Sequence, residues 1–263
     1  MNVSGRTVLL TGATGGIGHA IARRLHSAGA TLVLTGRRTD VLEPLAAELG
    51  ATSLAVDLSS DAELQRLVTQ AGDADILIAN AAVPASGPLL DFEVEQIDRA
   101  LAVNLRAPMV MARLVGERMV ARGSGHLVFV SSLSGKVATP GSSVYSATKF
   151  ALRGFAQGLR ADLRSAGVGT SVVFPGFIRD AGMFADSGTQ LPRFVGTSTP
   201  EEVAEGVLSA IEDNRGEVDV APASMRFGAK FASVAPGLAA ELNRRMGADE
   251  ISEQMSAGQA HQR

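Results

Sequence analysis

Thr7-Val8-Leu9-Leu10-Thr11-Gly12-Ala13-Thr14-Gly15-Gly16-Ile17-Gly18 decides how this chain folds. Thr7 to Leu10 is a short run of β-branched and aliphatic residues, the composition of a strand covered on both faces. The glycines that follow allow a tight turn, and an amphipathic helix begins at Gly16. Strand, glycine turn and helix in that order set the unpaired amides of a helix N-terminus at the carboxyl end of a strand. Those amides and the helix dipole attract phosphate, and the missing Cβ atoms let it approach the main chain.

The same alternation continues outward from this segment. Further strands are expected at Thr31 to Leu34, Ser53 to Val56, Ile76 to Ala79, His126 to Ser131, Thr170 to Phe174 and Glu217 to Val220. Helices are expected at about Gly16 to Ala28, Val41 to Leu49, Ala62 to Ala71, Val94 to Arg122, Tyr145 to Ala166 and Pro200 to Asn214. Alternation of this kind predicts an α/β fold with a parallel sheet. Asp61 can cap the third helix, Gly29 and Gly167 can end helices, and Thr199-Pro200 with two glutamates is a well-formed helix start. No repeat or low-complexity linker divides the sequence, so residues 1–263 read as a single dinucleotide-binding domain with its core at about 6–220.

Composition narrows the function classes. An apolar fraction of 46% in 263 residues is ample for a sizeable core, and a net charge of −3 gives no overall basic footprint for nucleic acid. Without cysteine there is no disulfide framework, thiolate nucleophile or Cys-type metal site. His19, His26, His126 and His261 lack ligand spacing, so no metal is expected. There is no 18-residue apolar run and no signal peptide at the N-terminus, so no membrane partner is expected and a cytoplasmic location is the default.

Strand two ends in Thr35, Gly36, Arg37 and Arg38, where a dinucleotide-binding chain would carry an acidic residue to accept from the adenosine ribose. Arginines there suit a 2′-phosphate, because a guanidinium binds phosphate oxygens two at a time. NADP(H) is therefore favoured over NAD(H). Asp57 ends strand three and can accept from the adenine amino group or cap a turn. Small residues at Ala79 to Ala82 around Asn80 would let a cofactor lie against the backbone. Asn104 stands in an otherwise apolar helix and needs a partner for its amide, while Ser131 and Ser132 end strand five at the ligand-binding edge.

Tyr145 is the only tyrosine, and Lys149 follows it by one helical turn. Residues i and i+4 share a helix face, so phenol and ammonium point into the same space. A cation favours the phenolate, lowering a pKa that is ordinarily about 10.

Together these segments resemble the short-chain dehydrogenase/reductase family. The resemblance rests on TGATGGIG at Thr11 to Gly18, Asp57, ANAA at Ala79 to Ala82, Asn104, Ser132 thirteen residues before Tyr145, YSATK itself, and Pro175-Gly176. It implies a Rossmann-type doubly wound domain, with a parallel sheet of about seven strands flanked by helices on both faces. It also implies an oxidoreductase that passes a hydride between a nicotinamide cofactor and a carbonyl or secondary alcohol. Tyr145 would be the proton donor, Ser132 would bond the substrate oxygen, Lys149 would tune Tyr145 and hold the nicotinamide ribose, and Asn104 would hold a water that replenishes the proton. The cofactor set carried over is Gly12, Thr14, Gly15, Gly16, Ile17, Gly18, Arg37, Arg38, Asp57, Leu58, Asn80, Ala81, Tyr145, Lys149, Pro175, Gly176 and Ile178.

The chain departs from the family pattern at three places, one of them Gly15, where many NADP enzymes of the family carry a basic residue, so cofactor choice rests on Arg37 with Arg38 in support. ANAA replaces NNAG, and Asp180 stands where a threonine commonly bonds the nicotinamide carboxamide. The substrate loop falls at residues 177–199, and its Phe177, Ile178, Met183, Phe184, Leu191, Phe194 and Val195 predict a largely apolar lid for a medium-sized substrate. Arg179 and Arg193 can bind an acidic group or be solvated. Residues 221–263 read as an extension of amphipathic helical pieces that close the substrate pocket, join a subunit contact or lie on a membrane surface, with 247–263 as a polar tail. A homodimer or homotetramer is implied. The alternative from another class is a non-catalytic dinucleotide-binding redox sensor or scaffold, which would have no need of Tyr145; an epimerase or dehydratase is a weaker alternative among enzymes.

Overall fold

The computed structural model describes residues 1–192, 195–245 and 247–259; Arg193, Phe194, Met246 and His261 lie outside the described residues. Seven strands form one parallel sheet: β1 (Thr7–Thr11), β2 (Thr31–Gly36), β3 (Thr52–Ala55), β4 (Ile76–Ala79), β5 (Gly125–Val130), β6 (Val168–Pro175) and β7 (Glu217–Val220). Their order is β3-β2-β1-β4-β5-β6-β7. The chain runs outward from β1 to β3, then crosses back to lay β4 on the other side of β1. At that reversal the loops leaving β1 and β4 diverge, and a crevice opens at the carboxyl ends of the strands.

Alternation along each strand sorts the core into two layers. Val8, Leu10, Leu32, Leu34, Ile76 and Ile78 face α1 (Gly16–Ser27), α2 (Thr39–Glu48) and α8 (Pro200–Glu212). Leu9, Val33, Leu77, Leu127 and Phe129 face α3 (Asp61–Gln70), α5 (Ala107–Arg122) and α6 (Ser143–Leu163). Each such side chain, fully buried, contributes about 1.5 to 3 kcal/mol. The register Val8↔Leu32 and Val8↔Ile76 places three apolar side chains in line across the sheet.

Helix ends follow local chemistry. Thr199 Oγ1 accepts from the Glu202 amide at 3.1 Å and Glu202 Oε2 accepts from the Thr199 amide at 2.9 Å, a reciprocal cap for α8. Gly167 closes the end of α6 after a 3-10 turn at Arg164–Ala166, with φ of 72°. The cap of α3 differs from expectation: Ser60 accepts from the Glu63 amide, and Asp61, one residue inside, pairs with Arg106 instead.

The stretch from Val94 to Arg122 is not one regular helix. It is α4 (Val94–Leu101), a π turn over Ala102–Arg106, and α5. Pro108 has no N–H to give the carbonyl of Asn104 four residues earlier, and its ring crowds that carbonyl, so regular α pairing cannot pass through this point. Past β7, α9 (Ala223–Val234) and α10 (Pro236–Arg245) are followed by α11 (Ala248–Gln259), a helix where a polar tail was expected. Ile251 and Met255, one turn apart, give α11 an apolar stripe to bury.

Candidate active site

The crevice at the strand reversal is a cleft of about 610 Å³. Its floor is the glycine turn, with Gly12, Thr14, Gly15, Gly16, Ile17 and Gly18 all exposed to it. This turn admits glycine alone at two points. Gly12 has φ of +68°, and a Cβ there would stand 2.7 Å from Ala81 Cα; a Cβ on Gly18 would stand 2.1 Å from the Gly12 carbonyl oxygen. No side chain caps α1, so its first amides are available to an anion. Asn80 Nδ2 donates to the Thr11 and Gly12 carbonyls at 3.0 and 3.2 Å, stapling the end of β4 to the turn. Ala81 lies beside it in the cleft.

Arg37, Arg38, Asp57 and Leu58 form the far end of the cleft. Arg38 Nη2 donates to the Thr14 carbonyl at 2.5 Å and so braces the glycine turn. Arg37 is exposed and makes no hydrogen bond or ion pair among the described residues. Asp57 Oδ1 accepts from the Ser59 amide at 2.9 Å and the Ser59 hydroxyl at 2.8 Å. Those bonds, with Arg37 and Arg99 nearby, hold the Asp57 carboxyl below its usual range. A glycine cradle, uncapped helix amides and a free guanidinium fit a dinucleotide bearing an extra phosphate.

Ile17, Asn80, Ala82 and Met183 also line a second cavity of about 580 Å³, so the two spaces adjoin. Ser132, Tyr145 and Lys149 all line it, and Pro175, Gly176 and Ile178 flank them from the end of β6. Lys149 is buried at 2% exposure, and its Nζ donates to the Val130 carbonyl at 3.1 Å. Nζ lies 5.5 Å from the Tyr145 ring centre. Burial pushes the Lys149 ammonium down to about 8. Burial also pushes the Tyr145 phenol up to about 12, opposed by its hydrogen bond with Ser132. The expected lowering of the phenol by Lys149 is therefore not seen here: the lysine bonds the Val130 carbonyl, and burial dominates both groups. Ser132 Oγ accepts from the Ser134 amide at 3.1 Å, and Ser131 instead donates to the Lys149 carbonyl, holding α6 to the end of β5.

Asn104 lines neither cavity. It is buried, with Oδ1 accepting from the Val83 amide at 2.7 Å and Nδ2 donating to the Val83 carbonyl at 2.9 Å. Both ends of its side chain are thus engaged with Val83, and its main-chain carbonyl receives no N–H from Pro108. Asp180 is exposed at φ of 70°, pairs with Arg179 at 3.5 Å and lines neither space.

Several contributors were not legible in the sequence. Arg99 of α4 and Asp186 of α7 (Gly182–Asp186) line the nucleotide cleft, and Ile251, Ser252, Met255 and Gln259 bring α11 into the wall of the second cavity. Helix α11 is held to both rims: Ser252 Oγ donates to the Pro140 carbonyl, and Gln259 Nε2 donates to the Met183 carbonyl at 3.1 Å. Phe177 and Phe184, with ring centres 4.9 Å apart, add to an apolar lining.

This geometry agrees with what is known of similar proteins. The short chain dehydrogenase family pattern matches residues 6–192. Ketoacyl reductase HetN of Nostoc sp. is 37% identical over 83% of this chain and 79% of its own length. A short-chain dehydrogenase from Sphingobium yanoikuyae, solved with NADPH, aligns with a TM-score of 0.77 at 29% identity, covering 89% of this chain and 94% of that one. A Burkholderia phymatum short-chain dehydrogenase/reductase, solved with NAD, aligns with a TM-score of 0.78 at 25% identity, covering 89% and 96%. The chain belongs to the short-chain dehydrogenase/reductase family. It is an oxidoreductase of CH–OH and C=O groups that uses NAD(P). Among the described residues no helix is long and apolar enough to cross a membrane.

Proposed function

We propose that this protein is an NADP-preferring carbonyl reductase, reversible as an alcohol dehydrogenase, for medium-sized and mostly apolar substrates. The observation that carries this reading is the meeting of Ser132, Tyr145 and Lys149 on an apolar cavity that adjoins the glycine-floored cleft. The α1 amides would hold the cofactor diphosphate, Arg37 the 2′-phosphate, Asp57 and Leu58 the adenine, and Pro175, Gly176 and Ile178 the nicotinamide. The cofactor, when bound, supplies or accepts the hydride.

The chain's own residues handle the proton. At neutral pH a phenol held up near 12 is protonated, so Tyr145 keeps a proton ready for the substrate oxygen. Ser132 orients that oxygen and stabilises charge as it develops. Lys149, protonated below about 8, offsets the charge of the phenolate that remains and can turn to the nicotinamide ribose. A water on the Asn104 carbonyl would return the proton through Lys149. The cavity of about 580 Å³, walled by Phe177, Met183, Phe184 and Met255, supports a substrate of moderate size and low polarity.

In this reading residues 1–263 work as one dinucleotide-binding domain in which 177–199 select the substrate and 221–263 close its cavity. Met109, Val120 and Phe150, exposed on α5 and α6, support assembly into a homodimer or homotetramer, and the cytoplasm is its place. Calorimetric titration with NADPH and NADH tests cofactor choice. A charge-assisted phosphate bond is worth about 1.5 to 3 kcal/mol, so NADPH should bind roughly ten- to a hundredfold tighter, and Arg37→Ala should erase the difference. Equal or tighter NADH binding by the unaltered protein overturns the preference.

A further inference from the structure

Arg99 sits on α4 in the wall of the nucleotide cleft, four residues before Val103, which lines the same wall. Its side chain is half-buried and makes no hydrogen bond or ion pair among the described residues. A guanidinium in that state has lost part of its hydration without a protein partner in return. The cofactor residues expected from the sequence at this end of the cleft are Arg37, Arg38, Asp57 and Leu58, with none from α4.

The surroundings say what it meets. Val56 and Leu58, just past β3, and Val103 in the π turn that follows α4 are apolar surfaces on one cleft, suited to a flat ring rather than to phosphate. Asp57, placed between them, keeps its second carboxylate oxygen free after Oδ1 accepts from Ser59, and can take up an exocyclic amino group. Arg37 leaves the end of β2, on the side where a ribose phosphate would lie, whereas Arg99 comes from the α4 side. Both arginines are near enough to Asp57 to act on its carboxyl, so they bracket the same subsite from two elements.

We propose that Arg99 binds the adenine ring of the cofactor, laying its planar guanidinium against the ring face opposite the β3 wall. This inference rests on the dinucleotide reading of the cleft. A guanidinium over an aromatic face is attracted by the ring's electron distribution, and its planarity allows stacking that an ammonium does not give. The division of labour is then explicit: Arg37 distinguishes NADP from NAD, while Arg99 raises affinity for both.

The test is equilibrium binding of NADPH, NADH and AMP to the full-length protein and to Arg99→Ala and Arg99→Met, with Arg37→Ala as reference. Arg99→Met keeps an apolar stem of similar reach, so it answers the question if the alanine variant folds poorly. The expected result is a weakening on the order of tenfold for NADPH, NADH and AMP alike, within about threefold of one another. In Arg37→Ala the loss should fall on NADPH alone. A loss confined to NADPH in the Arg99 variants would make Arg99 a phosphate ligand and overturn the proposal, as would unchanged binding of all three. If the unaltered protein binds none of them, the dinucleotide reading itself fails, a result distinct from failure of the Arg99 assignment.

Discussion

Gly18→Ala places one methyl group where the structure leaves no room. The new Cβ would stand 2.1 Å from the Gly12 carbonyl oxygen, 2.8 Å from Ala13 Cα and 2.9 Å from the Gly12 carbonyl carbon, all main-chain atoms that cannot rotate away. An ordinary contact requires the turn to retreat by about 1 Å, and overpacking of this kind costs about 1 to 3 kcal/mol. Alanine gains about 1 kcal/mol over glycine in a helix, so the net loss should be up to about 2 kcal/mol. Gly116→Ala in α5 is the matched control, because its Cβ would meet only Leu127 Cδ1 at 3.9 Å. There the propensity gain stands unopposed and stability should rise by up to about 1 kcal/mol. Urea unfolding of both variants reads the two signs, and NADPH titration should show at least a tenfold loss for Gly18→Ala, roughly 1.4 kcal/mol, with none for Gly116→Ala. A Gly18→Ala protein as stable as Gly116→Ala, with NADPH affinity intact, would refute the reasoning that this turn is shaped around a bound phosphate.

Asn104→Ala removes the two bonds that satisfy Val83 and leaves a buried amide and carbonyl unpaired, so unfolding free energy should drop by about 2 to 4 kcal/mol in urea titration; a drop below about 1 kcal/mol would mean that Val83 finds other partners. His126 is held down to about 3 chiefly by burial, then by the N-terminal charge and Arg160. Its folded pKa lies below the ordinary 6.5, so its contribution is complete above 6.5 and is lost as pH falls from there toward 3. The loss should reach about 2 to 3 kcal/mol by pH 4.5, and NMR titration showing His126 protonating near 6.5 in the folded protein would contradict it.

The parts legible in the sequence are those governed by local pattern. Alternating β-branched and aliphatic runs foretold all seven strands, and Thr199-Pro200-Glu201-Glu202 foretold a capped helix because its chemistry lies within one turn. Tyr145 and Lys149 line one cavity because four residues on a helix return to the same face. What escaped depends on distant partners. Asn104 is satisfied by Val83, 21 residues away, and the π turn around it arises from an amide that Pro108 lacks. Arg99 has the composition of a solvated helix face, and only the fold brings it to a cleft shared with the residues that follow β3 and β4. Helix α11 carries its apolar character in a few residues, and what they cover is another part of the chain, the rims of the cavity at Pro140 and Met183. The pKa balance between Tyr145 and Lys149 could not be read from their spacing, since burial outweighs proximity for both.

The central claim is that Tyr145 gives the proton that accompanies hydride transfer. Tyr145→Phe keeps the ring and removes only the hydroxyl, one contact among the many expected to the cofactor, so NADPH affinity measured by calorimetry should be largely retained. Single-turnover oxidation of bound NADPH against a panel of aldehydes and ketones should then slow by about 100-fold or more. A Tyr145→Phe protein that binds NADPH normally and turns over at a near wild-type rate would remove the phenol from the chemistry and contradict the account.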